Sequence, residues 1–110
     1  MEGKVEKFNG RKEIEFKDLK YTIYFETALI TSGIATIPAG GKGDLDKGHE
    51  GAEEVFTVAS GALVVLFPDS DEKYELGTGD ALLIPPGESH IVENHSNSDA
   101  TFIFTGAPKL

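Results

Sequence analysis

Residues 79–94 read GDALLIPPGESHIVEN, and this stretch limits what the chain can fold into more than any other. A short apolar run, residues 81–84, stops at Pro85-Pro86-Gly87. Proline removes a backbone donor and glycine accepts a positive φ, so the chain turns there before restarting at His90. Period-two alternation then puts His90, Val92 and Asn94 on one face and Ile91, Glu93 and His95 on the other. A histidine aimed into a β-structure just past a rigid turn is a candidate ligand. His95, at odd parity from it, reads as a surface residue.

The same punctuation of Gly, Pro, Asn and Asp recurs at short intervals along the whole sequence. Asn9-Gly10 between residues 5–8 and 13–16 is a hairpin signal, since both residues accept the positive φ of a type I′ turn. Further strands are predicted over 21–30, 33–37, 45–49, 55–59, 62–67, 73–76, 81–84, 90–94 and 101–105, rich in Thr, Ile, Val, Tyr and Phe. Helical periodicity is sustained nowhere for three turns. About ten short strands with turns between them predict an all-β jelly roll. The 110 residues, 39% of them apolar, suffice for one modest core, so a single domain over 1–110 is expected, with N-terminal strands in 1–30 and a barrel over 31–107. The expected core includes Phe56, Val58, Leu63, Val65, Phe67, Leu83, Val92, Phe102 and Phe104.

Composition narrows the chemistry. There is no cysteine, which removes disulfides, thiolate metal sites and thiol nucleophiles together. A metal would have to be held by nitrogen and oxygen. The formal net charge of −9 opposes a phosphate backbone, and the lysines near the N-terminus are interleaved with glutamates, so nucleic acid is not an expected partner. No stretch resembles a signal peptide or a membrane span, and a soluble cytoplasmic protein without a membrane partner is expected. No nucleophile elbow or phosphate loop is present.

The spacing G-x5-P-x-G-x2-H-x3-N is met by Gly79, Pro85, Gly87, His90 and Asn94, and it resembles the second signature of the cupins. Their first signature, G-x5-H-x-H-x3 or 4-E-x6-G, is similar to the run from Gly41 to Gly61, with His49 at the second histidine, Glu54 at the glutamate, and Lys47 where the first histidine would stand. The resemblance identifies a small single-domain cupin of the conserved-barrel type and implies a double-stranded β-helix. It also implies His49, Glu54 and His90 as ligands of one divalent transition metal (Fe, Mn, Ni or Zn). Asn94 would secure a turn through its amide, as it does in that family.

The residues read in the same direction. A glutamate on the apolar face of a strand is costly unless a cation or donors meet it, and alternation turns Glu54, Phe56 and Val58 inward. Two neutral imidazoles and a carboxylate resemble the facial donor set of non-haem iron sites. A charged Lys47 would oppose the ion, so the lysine is either neutral and available as a general base, turned aside, or paired with Glu54 in a metal-free site. Alternation faces Asp44 and Asp46 outward, although the surrounding glycines leave the register weak enough for a bulge to bring Asp46 in as a ligand or as a partner for Lys47.

Two functions are expected from this reading. One is a metal-dependent enzyme acting on a small polar or anionic substrate, with His49, Glu54 and His90 on the metal and Lys47 as acid, base or charge clamp. The other is a non-catalytic cupin that binds a small ligand in a degenerate, metal-free site. Small cupins resemble one another in forming homodimers, and a homodimer is expected here, with the N-terminal strands covering a sheet edge.

Overall fold

In the computed structural model, which describes residues 2–9 and 11–110, nine strands run in the order β1 (Ile14–Phe16), β2 (Leu19–Glu26), β3 (Thr31–Ile37), β4 (Glu53–Ser60), β5 (Leu63–Phe67), β6 (Glu72–Leu76), β7 (Ala81–Ile84), β8 (Ile91–Glu93) and β9 (Ala100–Ala107). They form a six-stranded sheet ordered β1-β2-β3-β9-β4-β7 and a three-stranded sheet ordered β6-β5-β8. The pairings are antiparallel. This is the all-β, double-sheet jelly roll expected from the strand punctuation.

Alternation decides what each strand buries. On β4, Glu54, Phe56 and Val58 face in and Val55 and Thr57 face out; on β9, Phe102 and Phe104 face in. Val65 on β5 and Val92 on β8 meet them from the small sheet. Leu83 departs from the expected core: β7 pairs with β4 so that Leu83 lies opposite Val55 on the outer face, and Ile84 is the buried residue instead.

The turn at residues 85–90 forms as the sequence requires, with Gly87 at φ +75° and the Glu88 N–H donating to the Pro85 carbonyl. Asn94 is wholly buried. Its amide nitrogen donates to the carbonyls of Ile37 and Ser98, and its oxygen accepts from the backbone N–H and hydroxyl of Ser96. One side chain thus ties the end of β3 to the loop that enters β9.

Two strand predictions fail. Residues 5–8 form no strand: Val5 and Phe8 are exposed, and Glu6 pairs with Arg11, which bonds the Ile23 carbonyl and lies over the Tyr24 ring. Gly10 of the expected hairpin lies outside the described residues. Residues 45–49 are also not a strand, because only Asp46 finds an antiparallel partner, His90.

Candidate functional site

The loop before β4 and the turn before β8 are laced together at the barrel wall. The Asp46 N–H donates to the His90 carbonyl at 2.9 Å and the His90 N–H returns to Asp46 at 2.8 Å, while the Gly87 N–H donates to the His49 carbonyl at 3.1 Å. Gly48, at φ +83°, allows this approach, since a Cβ there would stand 2.6 Å from the Glu88 carbonyl oxygen. Residues 45–49 carry no continuous strand register, so parity counted along them does not apply. Asp46 is bridged directly to His90, and residues opposed in an antiparallel pair project to the same face, so Asp46 turns toward His90 and not outward.

His90 is 2% exposed. Its Nδ1 lies 3.0 Å from the Glu88 carbonyl oxygen. A carbonyl only accepts, so Nδ1 carries the proton and Nε2 presents a lone pair. Asp46 Oδ2 stands 3.6 Å and Glu54 Oε1 3.7 Å from that nitrogen. The Phe56 ring packs edge-on against the imidazole at 5.6 Å. Asp46 is held in turn by the Gly48 N–H, which donates to Oδ1 at 2.8 Å.

Glu54 projects from β4 into the same space, and its Oε1 is the buried side-chain atom without a hydrogen-bond partner among the described residues. Burial, with the Asp46 charge adding to it, pushes its carboxyl from an ordinary 4.5 up to about 7. An orphaned acceptor beside an imidazole lone pair is two electron-pair donors facing each other with nothing between them to share.

A cavity of about 530 Å³ opens onto this cluster. Asp46, Lys47, His49 and Glu54 line its polar side, with Lys47 exposed and His49 half-buried. The ion pair of Lys47 with Glu54 does not form, since Lys47 is exposed and Glu54 Oε1 is unpartnered. The structure thus brings Glu54 and His90 into contact and places His49 and Lys47 on the same cavity wall. It adds Asp46, which the weak register of the loop only allowed for, and an aromatic wall of Tyr21, Phe56, Phe102 and Phe104 whose convergence no motif announced.

Among the described residues, no group of three or more His, Asp or Glu side chains converges closely enough to hold a metal ion as it stands. The donor chemistry nonetheless fits one. His90 has its proton on the outer nitrogen, held by a backbone carbonyl in the manner of metal-bound imidazoles, and Glu54 offers a desolvated oxygen with no other partner.

Other proteins share this fold. The cupin domain of Cnp3 from Schizosaccharomyces pombe superposes with a TM-score of 0.80 at 14% identity, over 96% of this chain and 74% of that one. KdgF from Halomonas sp. gives 0.81 at 20% identity, over 99% and 96%. The polyketide cyclase RemF from Streptomyces resistomycificus gives 0.78 at 18% identity, over 99% and 81%. At these identities the likeness is one of fold. No curated protein matches the sequence. Among the described residues, no helix is long and apolar enough to cross a membrane. The family model described as "Cupin domain" matches residues 33–106, from the middle of β3 almost to the end of β9, and on that match the chain belongs to the cupin family.

Proposed function

We propose that this chain is a metal-binding cupin that acts as an enzyme on a small molecule held in its cavity. The observation that supports this reading is the unpartnered, buried Glu54 Oε1 facing the Nε2 lone pair of His90 at 3.7 Å. Leaving a buried acceptor unmade costs about 1–3 kcal/mol, and a cation between the two, like a proton on Glu54, satisfies both facing electron-pair donors together. Glu54 and His90 would hold one divalent ion of Fe, Mn, Ni or Zn, with His49 and Asp46 available from the adjoining wall. When bound, such an ion supplies Lewis-acid polarisation of a substrate oxygen or an activated water.

The chain's own groups divide the remaining work. The Glu88 carbonyl fixes the His90 tautomer and the Gly48 N–H orients Asp46. Asp46 also places a negative charge next in sequence to Lys47, which eases the conflict between the lysine and a cation. Lys47, on the exposed rim, would give or take a proton or clamp an anionic group. The aromatic wall excludes water from the reacting end.

A second reading is a non-catalytic cupin that binds a small ligand without metal; the absence of a converged three-residue ligand group among the described residues favours it. In either case the partner is a small molecule, with nucleic acid and membrane left out. A homodimer is supported by the outer face of the large sheet, where Ile34, Val55, Leu83 and Ile103 lie in adjacent registers with Thr57 and Thr105 and carry no charge. In a chain of net charge −9, a second copy meets least repulsion there.

Metal analysis by plasma mass spectrometry, on protein purified without an affinity metal or chelator, tests the reading. Stoichiometric metal that is lost in His90→Ala supports the metalloenzyme. Absence of metal from the native protein, with uptake by Lys47→His, means the lysine displaces the ion and supports the ligand-binding alternative.

A further inference from the structure

The cavity combines polar and aromatic lining. Glu54 and the loop residues Asp46, Lys47 and His49 line one part of it and Glu26 and Thr31 another, while Tyr21, Phe56, Phe102 and Phe104 form a wall of rings set at angles to one another, with Phe56 reaching His90. Tyr21 meets Phe104 edge-on at 5.9 Å and 86°, and Phe56 meets Phe102 at 4.7 Å and 51°. Two glycines let this wall lie flat on the sheet. A Cβ on Gly33 would stand 2.5 Å from Phe104 Cζ, and a Cβ on Gly106 would stand 2.1 Å from Leu110 Cγ. Gly106 lies between Thr31 on β3 and Glu54 on β4 in the cross-strand register. Leu110 covers it from above, anchored by its N–H on the Thr31 hydroxyl at 3.1 Å. The apolar floor therefore runs up to the strand position next to Glu54, and Leu110 forms its last tile.

A small diacid would bring hydrogen-bonding groups against this wall that the rings cannot answer, and each group left unmade weakens binding. An apolar body gains by removing the wall from water, and a flat ring gains the edge-to-face contacts as well. The cavity volume is in the range of sites that enclose a drug-sized molecule.

We infer that the cavity takes a planar aromatic molecule carrying one oxygen head group. Its ring lies against Tyr21, Phe56, Phe102 and Phe104, its oxygen lies toward Glu54 and His90, and Leu110, seated on Gly106, determines how large a ring system is admitted. Only the placement of the head group rests on the proposed function; the ring wall stands without it.

The chain has no tryptophan, so an emissive aryl alcohol can be titrated without indole background. The probes are 2-naphthol and 2-hydroxyanthracene, read by their own fluorescence, with malonate read by calorimetry. Each is run on chelator-treated protein, with the metal content measured on the same preparation before chelator is added. 2-Naphthol is expected to bind saturably, and malonate not at all. In Leu110→Ala the affinity ratio of the three-ring to the two-ring probe is expected to rise about fivefold. Gly106→Ala evicts the Leu110 side chain without altering it and is expected to produce the same change; circular dichroism verifies that both variants remain folded. Binding of malonate but not 2-naphthol overturns the inference, as does an unchanged ratio in the folded variants. Native protein that lacks metal but whose 2-naphthol binding responds to both variants overturns the metalloenzyme reading and leaves this inference standing.

Discussion

His90 Nε2 and Glu54 Oε1 face each other 3.7 Å apart inside the barrel, a lone pair against an unpartnered carboxylate oxygen, and the other imidazole nitrogen is held 3.0 Å from the Glu88 carbonyl oxygen. The pair can be relieved in two ways, by a proton on Glu54 or by a cation between the two, and the two ways have opposite consequences with pH.

In metal-free protein the folded state holds the Glu54 proton up to about pH 7, whereas the unfolded chain releases it near 4.5. Between those values the native state binds more protons, so this group's contribution to stability is complete below about 4.5 and is lost as pH rises to about 7. The loss is about 3 kcal/mol at most, from about 1.4 kcal/mol per unit. Glu54→Gln removes the titration, and its amide can donate to His90 Nε2. Urea denaturation from pH 4.5 to 8 is expected to show Glu54→Gln gaining on wild type with rising pH and levelling off above about 7. A difference independent of pH refutes the assignment.

Metal reverses that order. With a divalent ion bound, the charged form of Glu54 is the favoured one, so adding stoichiometric metal is expected to raise the melting temperature of wild type more at pH 8 than at pH 5. Glu54→Gln and His90→Ala are expected to lose most of that gain. Differential scanning calorimetry with and without chelator provides the comparison.

Asn94 satisfies two carbonyls and receives two donors while wholly buried. Asn94→Ala leaves the Ile37 carbonyl, itself in the interior, without this donor, and is expected to cost about 2–4 kcal/mol in chemical denaturation. Asn94→Asp retains the acceptor and loses the donors, so a comparable cost is expected from it. A loss below about 0.5 kcal/mol, the range of ordinary surface substitutions, is the contrary result.

The uncharged outer face offers its own test. Leu83 and Ile103 are 53% and 43% exposed, so replacing both with glutamate leaves the core untouched. Light scattering on the Leu83→Glu, Ile103→Glu double variant is expected to give half the mass of wild type, with an unchanged circular dichroism spectrum. Equal masses would remove this face as the dimer contact.

Much of the barrel was legible in residue order because its signals are local. Pro85, Pro86 and Gly87 act on their own backbone, and from that turn onward alternation carries His90, Val92 and Asn94 to the inside. The same parity turned Glu54 and Phe56 inward on β4. Parity failed at Leu83, where a four-residue strand offered two apolar faces and pairing with β4 chose between them, and at residues 5–8, which pair with no strand although β1 follows them.

The sequence by itself determined that this chain is an all-β jelly roll with a histidine past a rigid turn and a carboxylate on an inward strand face, because turn chemistry and period-two alternation act over a few residues. Only the tertiary structure decided that Asp46, in a glycine-flanked loop with no register of its own, faces His90 through a single backbone bridge. It also decided that Leu110 lies over Gly106 beside Glu54. The Asp46–His90 bridge and the Leu110–Thr31 hydrogen bond that seats Leu110 join segments some forty to eighty residues apart, and no local rule of the backbone reaches that far.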